Sequence, residues 1–459
     1  MRTAYSVLLV LPLIACSASI DPSPAAANPD GGTVDEGGTP VVPTTCPAPT
    51  MGPTMHHSIT MDETWTADTS PHILPYDSSI DAKLTLEPCA EVRIAAGRTV
   101  TISTKGSIVG IGEADKRILI TRQDSGAAWG SIRAIGGSLK LEYATVEGGG
   151  DPVAANTRAE LTGMVLGQVG SDPMTSAPEA LSFKNVTLKG SLSNGAILTG
   201  DAKFSADSTA LTVTGSASHP ISIFPRMVGS IPAGTYTGNT IDEILFPGSG
   251  GPEDIITDQT MHDRGVPYHV GIDSSSGQLR VGSGSATAPL ATLTIEPGVT
   301  IRFKKAGYFE VESASGTNPA TGALIAHGTA QKPIVLTSGA DAPAPADWYG
   351  ISFGSTTNAS TVVEYMHVDY AGLPSTSSGS LSCAAGLRAA AINFSGPPAT
   401  EFIKNTTISH SPTGFNSGWK GAQIDFTASN TFVDVPGCKL TNPPDASNSC
   451  TSRPPCAVP

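Results

Sequence analysis

Leu84-Thr85-Leu86-Glu87-Pro88-Cys89-Ala90-Glu91-Val92-Arg93-Ile94 returns 209 residues later as Leu293-Thr294-Ile295-Glu296-Pro297-Gly298-Val299-Thr300-Ile301-Arg302-Phe303. Five of the eleven positions are identical, and most of the others keep their apolar character. The match continues outward in the same order. Gly106-Ser107-Ile108-Val109 pairs with Gly322-Ala323-Leu324-Ile325, Lys116 with Lys332, and Trp129 with Trp348. Glu142-Tyr143 returns as Glu364-Tyr365, and Lys184-Asn185 as Lys404-Asn405. The offset starts at 209, reaches 222 and ends at 220 residues, so the chain is two modules with loop insertions in the second.

Within each module the pattern has a period of two. Leu84/Leu86, Val92/Ile94, Val100/Ile102 and Ile118/Ile120 alternate with polar residues in short runs broken by Gly, Pro, Asn or Asp, which predicts strands. No apolar stripe at helical spacing runs beyond about two turns. Charged residues are 14% of the chain against about 25% in an average domain, while Ser, Thr, Gly and Ala dominate. Such small side chains suit stacked coils, where each residue meets a near-identical neighbour about 4.8 Å above and below. The fold class expected is all-β: a solenoid built from two duplicated modules.

The segment Leu-Thr-[Leu/Ile]-Glu-Pro, then Gly-x-[Ile/Leu]-[Val/Ile] with Lys, Ile and Thr following, then Trp and Gly, stands at 84–129 and again at 293–348. It resembles secreted right-handed parallel β-helix proteins of the pectin-lyase-like class. The resemblance implies that fold over most of residues 56–435 and leaves activity open, because the fold hosts many functions. Asn185 and Asn405 stand just before short strands, where Asn tolerates a left-handed backbone; β-helix proteins often place Asn at such corners.

The N-terminus has an apolar run from Ala4 to Ile14 ending in Leu13-Ile14-Ala15-Cys16. That box resembles the bacterial lipoprotein signal, cleaved before the cysteine, which implies that Cys16 carries lipid and makes the bilayer a partner. Ser17, where an Asp would suggest inner-membrane retention, points to the outer membrane. Residues 17–54 hold 13 Gly or Pro and no aromatic, a composition that cannot repay its ordering entropy. They read as a disordered tether spanning on the order of 35 Å. The organisation expected is a signal at 1–15, a tether at 16–55, module 1 at 56–252, module 2 at 253–436 and a Cys/Pro-rich cap at 437–459. Residues 56–83 are expected to close the first end of the solenoid.

Setting Cys16 aside leaves Cys46, Cys89, Cys383, Cys438, Cys450 and Cys456, an even set in an oxidising compartment. Cys46 is expected to pair with Cys89, and the last four among themselves. Their spacing lacks a CxxC pair, so zinc is not expected.

Net charge is −14, with 26 Lys+Arg against 40 Asp+Glu, which offers no basic patch for nucleic acid. The densest titratable run is Asp258, His262, Asp263, Arg264, His269 and Asp273. It is a candidate acid/base or ligand-binding cluster, set against a polar connector whose counterpart is Asp62, Asp68 and His72. Trp129 and Trp348 are candidate platforms for sugar rings, set against rings packed over a repeated corner. No G-x-S-x-G, H-E-x-x-H or P-loop is present, and no metal or cofactor is expected. The function expected is a non-enzymatic envelope lipoprotein with structural, adhesive or polysaccharide-binding roles; the alternative is a polysaccharide lyase or glycoside hydrolase on the same fold. Replacing Cys16 by Ser should move the protein from the membrane fraction to the soluble one, read by phase partitioning; unchanged partitioning would reject lipidation.

Overall fold

The computed structural model describes residues 45–169, 179–250, 253–283, 285, 287–311, 321–374, 390–398, 400–417 and 424–441. Cys16, Cys383, Cys450, Cys456, Trp419 and the signal lie outside these residues. So does the tether up to residue 44.

Alternation dictates the strands. Leu84, Leu86, Val92, Ile94, Val100, Ile102, Ile118 and Ile120 are buried, and the residues between them are part-exposed. A strand half-buried in this way puts one face on the core. Successive strands do not pair with each other but with the next coil, in parallel: Leu84 lies opposite Ile108, Val92 opposite Ile120, and Val100 opposite Ile132. The chain therefore winds as a parallel β-helix with three faces per coil. In module 1 the first face carries Lys83–Leu86 and Ser107–Ile111, the second Glu91–Ile94 and Ile118–Arg122, the third Val100–Ile102 and Ile132–Ile135. Helix is confined to short pieces such as Pro152–Ala155 and Pro225–Ser230. No helix among the described residues is long and apolar enough to cross a membrane.

Leu86, Ile94, Ile120, Ile295, Phe303 and Leu336 all point inward and join one hydrophobic cluster running through both modules. One sheet of 13 parallel strands joins the modules, and at about 4.8 Å per strand it extends roughly 60 Å.

Corners repeat as columns. Strands Ser138–Glu147 and Glu179–Lys189 run unbroken from the first face to the second through one left-handed residue each, Tyr143 (φ 47°) and Asn185 (φ 52°). Their counterparts Tyr365 and Asn405 take φ of 49° and 51°, so the Asn corners expected from sequence are present in both modules. At the next corner Gly148, Gly190, Gly215 and Gly238 stack with positive φ, and the N–H of Gly148 donates to Lys189, of Gly190 to Thr214, and of Gly215 to Gly238.

The two modules are not in phase. Module 1's third face continues through Ile221–Ile223 and Ile244–Phe246 into Tyr268–Val270 and then Thr300–Phe303. Yet Thr300–Phe303 is the sequence counterpart of Glu91–Ile94, on the second face. Along this shared sheet module 2 is thus out of step with module 1 by one face, while its first-face strand Gln259–Met261 packs on the turn Pro225–Ser230, whose Ser230 Oγ accepts from the N–H of Phe204 on module 1's first face. Sequence comparison detects the repeat but not this rotation, which depends on how many strands the linking coils contribute.

The ordered body begins before residue 56. Cys46 is bonded to Cys89, Thr45 N–H donates to the Asp115 carbonyl at 2.8 Å, and Thr54–Met55 pairs with His72–Leu74. A polar, Pro-rich segment is held here by a crosslink and backbone hydrogen bonds rather than by its own apolar area. At this end the rings of Trp65, His56 and His72 pack as a triangle, with centroids 4.1 Å (Trp65–His56), 4.9 Å (Trp65–His72) and 5.2 Å (His56–His72) apart, and Trp65 closes the core. At the other end the Cys438 carbonyl accepts from Gly414 N–H at 2.7 Å. Cys438 is disulfide-bonded to a partner outside the described residues.

Leu141 is fully buried while the adjacent Lys140 faces outward. Leu141→Ala should lower stability by about 3 kcal/mol, and Lys140→Ala by less than about 0.5 kcal/mol, compared through denaturant midpoints. Equal effects would contradict the inward–outward assignment.

Candidate functional site

The run from Asp258 to Asp273 does not converge. Asp258 stands at the start of module 2's first face, where its Oδ1 accepts from Thr292 N–H at 2.8 Å. Asp62 does the same for Lys83 N–H at 3.0 Å in module 1, which identifies a repeated scaffold contact. His262 Nδ1 lies 2.8 Å from Glu296 Oε1, and Asp263 Oδ2 lies 3.4 Å from Lys332 Nζ. Arg264 donates to the Ile231 carbonyl. His269 belongs to a different face. Among the described residues no group of three or more His, Cys, Asp or Glu is placed to hold a metal ion.

Trp129 and Trp348 are fully buried, so neither ring is a platform for a ligand. Each indole N–H donates to a carbonyl of the next coil, Trp129 to Glu147 at 2.9 Å and Trp348 to Asp369 at 2.8 Å. The residue repeats because the corner repeats: a buried indole needs both apolar surroundings and a partner for its N–H.

Two charge networks are brought together by the winding and are invisible in linear sequence. On the sheet shared by the modules, Glu243 binds His269 (2.7 Å) and Arg302. Burial pushes its carboxyl up, but His269 and Arg302 more than offset this and hold it below the usual range. His219 lies beside them, with ring centroids 6.4 Å from His269. Burial, and then His269, push its imidazole down to about 4. On module 2's third face, Arg280 binds Asp254 at 3.0 Å and Glu310 at 3.1 Å. Burial raises the Asp254 carboxyl despite Arg280. Near it, Arg226 and Asp201 form a buried pair at 3.0 Å. Buried pairs of this kind are poor evidence of function, since an unpaired charge there would be costly.

An open cleft lies on module 2's first face. A cleft of about 350 Å³ is lined by Asp258, Gln259, Thr260, Thr292, Thr294 and Ile325. Strand register builds it: Thr260 lies opposite Thr294, and Thr294 opposite Ile325, all with outward side chains. The Thr260 and Thr294 hydroxyls hydrogen-bond to no group of the protein among the described residues. Module 1 has the same column in Thr64, Thr85 and Val109. The sequence names Asp258 but not these threonines, because a Thr at period two is ordinary strand composition until its neighbours above and below are known.

The pectate-lyase-like β-helix domain is the family model that matches, over residues 276–383. This stretch runs from the start of module 2's third face through the repeated Gly322 and Trp348 segments. No curated protein matches the chain, and no solved structure matches it.

The low imidazole value of His219 fixes a pH dependence. The folded protein takes up this proton near pH 4 and the unfolded chain near 6.5, so the contribution is complete above 6.5 and is lost as pH falls towards 4. Between pH 7.5 and pH 5 it amounts to about 2 kcal/mol. His56 and His72 are also lowered, chiefly by burial, and act in the same direction. His219→Gln should flatten the fall in urea midpoint over this range; an unchanged slope would remove His219 as its source.

Proposed function

We propose that this chain is a non-enzymatic, lipid-anchored β-helix of the bacterial envelope that binds a polysaccharide along a threonine-lined face. The observation that carries the reading is the cleft over Thr260, Thr292, Thr294 and Ile325. Hydroxyls and aliphatic methyls alternate there at the spacing of parallel strands, a surface suited to a hydrated, repeating ligand. The net charge of −14 disfavours polyanions and favours a neutral polymer. Cys16 as the lipid-bearing residue would anchor the chain to the bilayer.

Asp254–Arg280–Glu310 favours a second reading. Two carboxylates and an arginine on one face, of which Arg280 and Glu310 fall within the stretch matched by the pectate-lyase-like domain, are groups that lyase or hydrolase chemistry on acidic glycans can use. The partners are saturated by one another, which argues for scaffolding and ranks this reading second.

Titration of soluble hydroxyethyl cellulose, mannan and pectate separates the two. The first reading expects binding of a neutral polymer without new reducing ends or unsaturated products, and about tenfold weaker binding for Thr260→Val/Thr294→Val. Release of such products from pectate, abolished by Arg280→Ala, would establish the second. Binding to no polymer in a broad glycan panel would reject the first.

A further inference from the structure

A parallel β-helix leaves the end of its core open wherever a coil has no neighbour beyond it. Register identifies the residues that fill this place in module 1. Trp65 lies opposite Leu86 as Met261 lies opposite Ile295, and His72 lies opposite Val92 as Tyr268 lies opposite Ile301. In module 2, with coils on both sides, the inward positions hold Met261 and Tyr268. In module 1, at the end of the stack, they hold Trp65 and His72, both almost fully buried, and His56 joins them. Beneath Trp65 lie Leu74, Ile80, Leu84 and Leu86 around a small apolar void. The chain therefore closes its first end with imidazoles, the side chains whose charge changes near neutral pH.

Hydrogen bonding fixes how many protons this closure accepts. His72 Nε2 lies 2.9 Å from the Thr66 carbonyl, which only accepts, so Nε2 carries a hydrogen. His72 Nδ1 lies 3.0 Å from His56 Nε2, a contact with room for one hydrogen. His56 Nδ1 faces Glu63 Oε2 at 3.5 Å, and the same oxygen accepts from the Trp65 indole N–H at 3.0 Å. Two neutral imidazoles supply the first two hydrogens. One added proton fits on His56 Nδ1, where Glu63 offsets its charge. A second has only the contact between the rings, where it sets two cations N–H to N–H. The other ionisable group acting on the pair is His57, which stacks on Tyr76 and offers no further negative charge. Burial comes first in holding both imidazoles below their ordinary value, and for His56 the facing His72 adds to it. A histidine lowered in the folded state contributes stability in full above that ordinary value and loses it as the pH falls towards the lowered one.

We propose that His56, His72 and Glu63 form an acid-operated latch: the second proton parts the two rings, frees Trp65 and opens the first coil, while the coils behind it stay wound. Opening uncovers the apolar end of the core and the edge of strand His72–Leu74, which Thr54–Met55 covers when the latch is shut. Such an edge can pair with another strand. The Cys46–Cys89 bond keeps the released segment attached, so the latch can close again. It operates whatever the outer faces bind.

Hydrogen exchange read by mass spectrometry on the full-length, oxidised chain tests the latch, with rates corrected for their intrinsic dependence on pH. Between pH 7.5 and pH 5, protection over residues 54–74 should fall at least about tenfold, while residues 291–303 of module 2 keep theirs. His72→Gln keeps a donor for Thr66 and an acceptor for His56 but takes up no proton, so the loss between the two pH values should vanish. Glu63→Gln keeps an acceptor for the Trp65 indole and removes the counter-charge, so the loss should set in at higher pH. The second variant carries the test if the first loosens the cap at pH 7.5. No loss over 54–74 would show that the closure tolerates both protons, and an equal loss over 291–303 would show general softening; either overturns the latch. So would pH profiles that neither variant changes.

Discussion

Coil-to-coil hydrogen bonding between parallel strands is the constraint on which everything else depends. Among the described residues a strand pairs with one a full coil away and not with its sequence neighbour. Each side chain therefore has a fixed partner above and below, and inward aliphatic residues pile into columns. The same rule governs the corners. A left-handed residue at one level needs a compatible residue at the next, which explains why Tyr143 and Asn185 stack, and why glycines recur at 148, 190, 215 and 238. A Tyr at positive φ is costly in isolation, and it persists because the strands on either side are held in register.

This constraint also explains what the surface carries. Outward side chains form columns whatever their role, so a repeated residue is weak evidence of function. Trp129 and Trp348 illustrate this: they recur because each roofs a corner and donates its indole N–H to the adjacent coil. The threonine columns differ, because among the described residues their hydroxyls serve no internal partner. Where scaffold accounts for a repeated residue, it does so through contacts that can be named; the threonines have none.

The fold was legible from Leu84 to Ile94 and its copy, since alternation, small residues and duplication all pointed to stacked coils. The Asn185 and Asn405 corners were legible because each is a local demand met by a particular residue type, and the Cys46–Cys89 bond because these two cysteines lie near one end of the body and the other four near the opposite end. What linear sequence hid was the phase of one module against the other. The coils around Ile244 and Tyr268 shift the pattern by one face, and no residue type announces that. Consequently the run from Asp258 to Asp273 looked like a cluster and is dispersed over several faces, while Glu243, 59 residues from Arg302, forms the tighter network.

The rotation between modules is the central claim, and disulfide trapping at the junction tests it most directly. Leu245 lies opposite His269 across the shared sheet. With cysteines at 245 and 269, oxidation followed by peptide mapping should yield the 245–269 crosslink, while a 235–269 cysteine pair should remain unlinked. If 235 and 269 crosslink and 245 and 269 do not, Tyr268–Val270 continues module 1's second face, the modules are in phase, and the account fails.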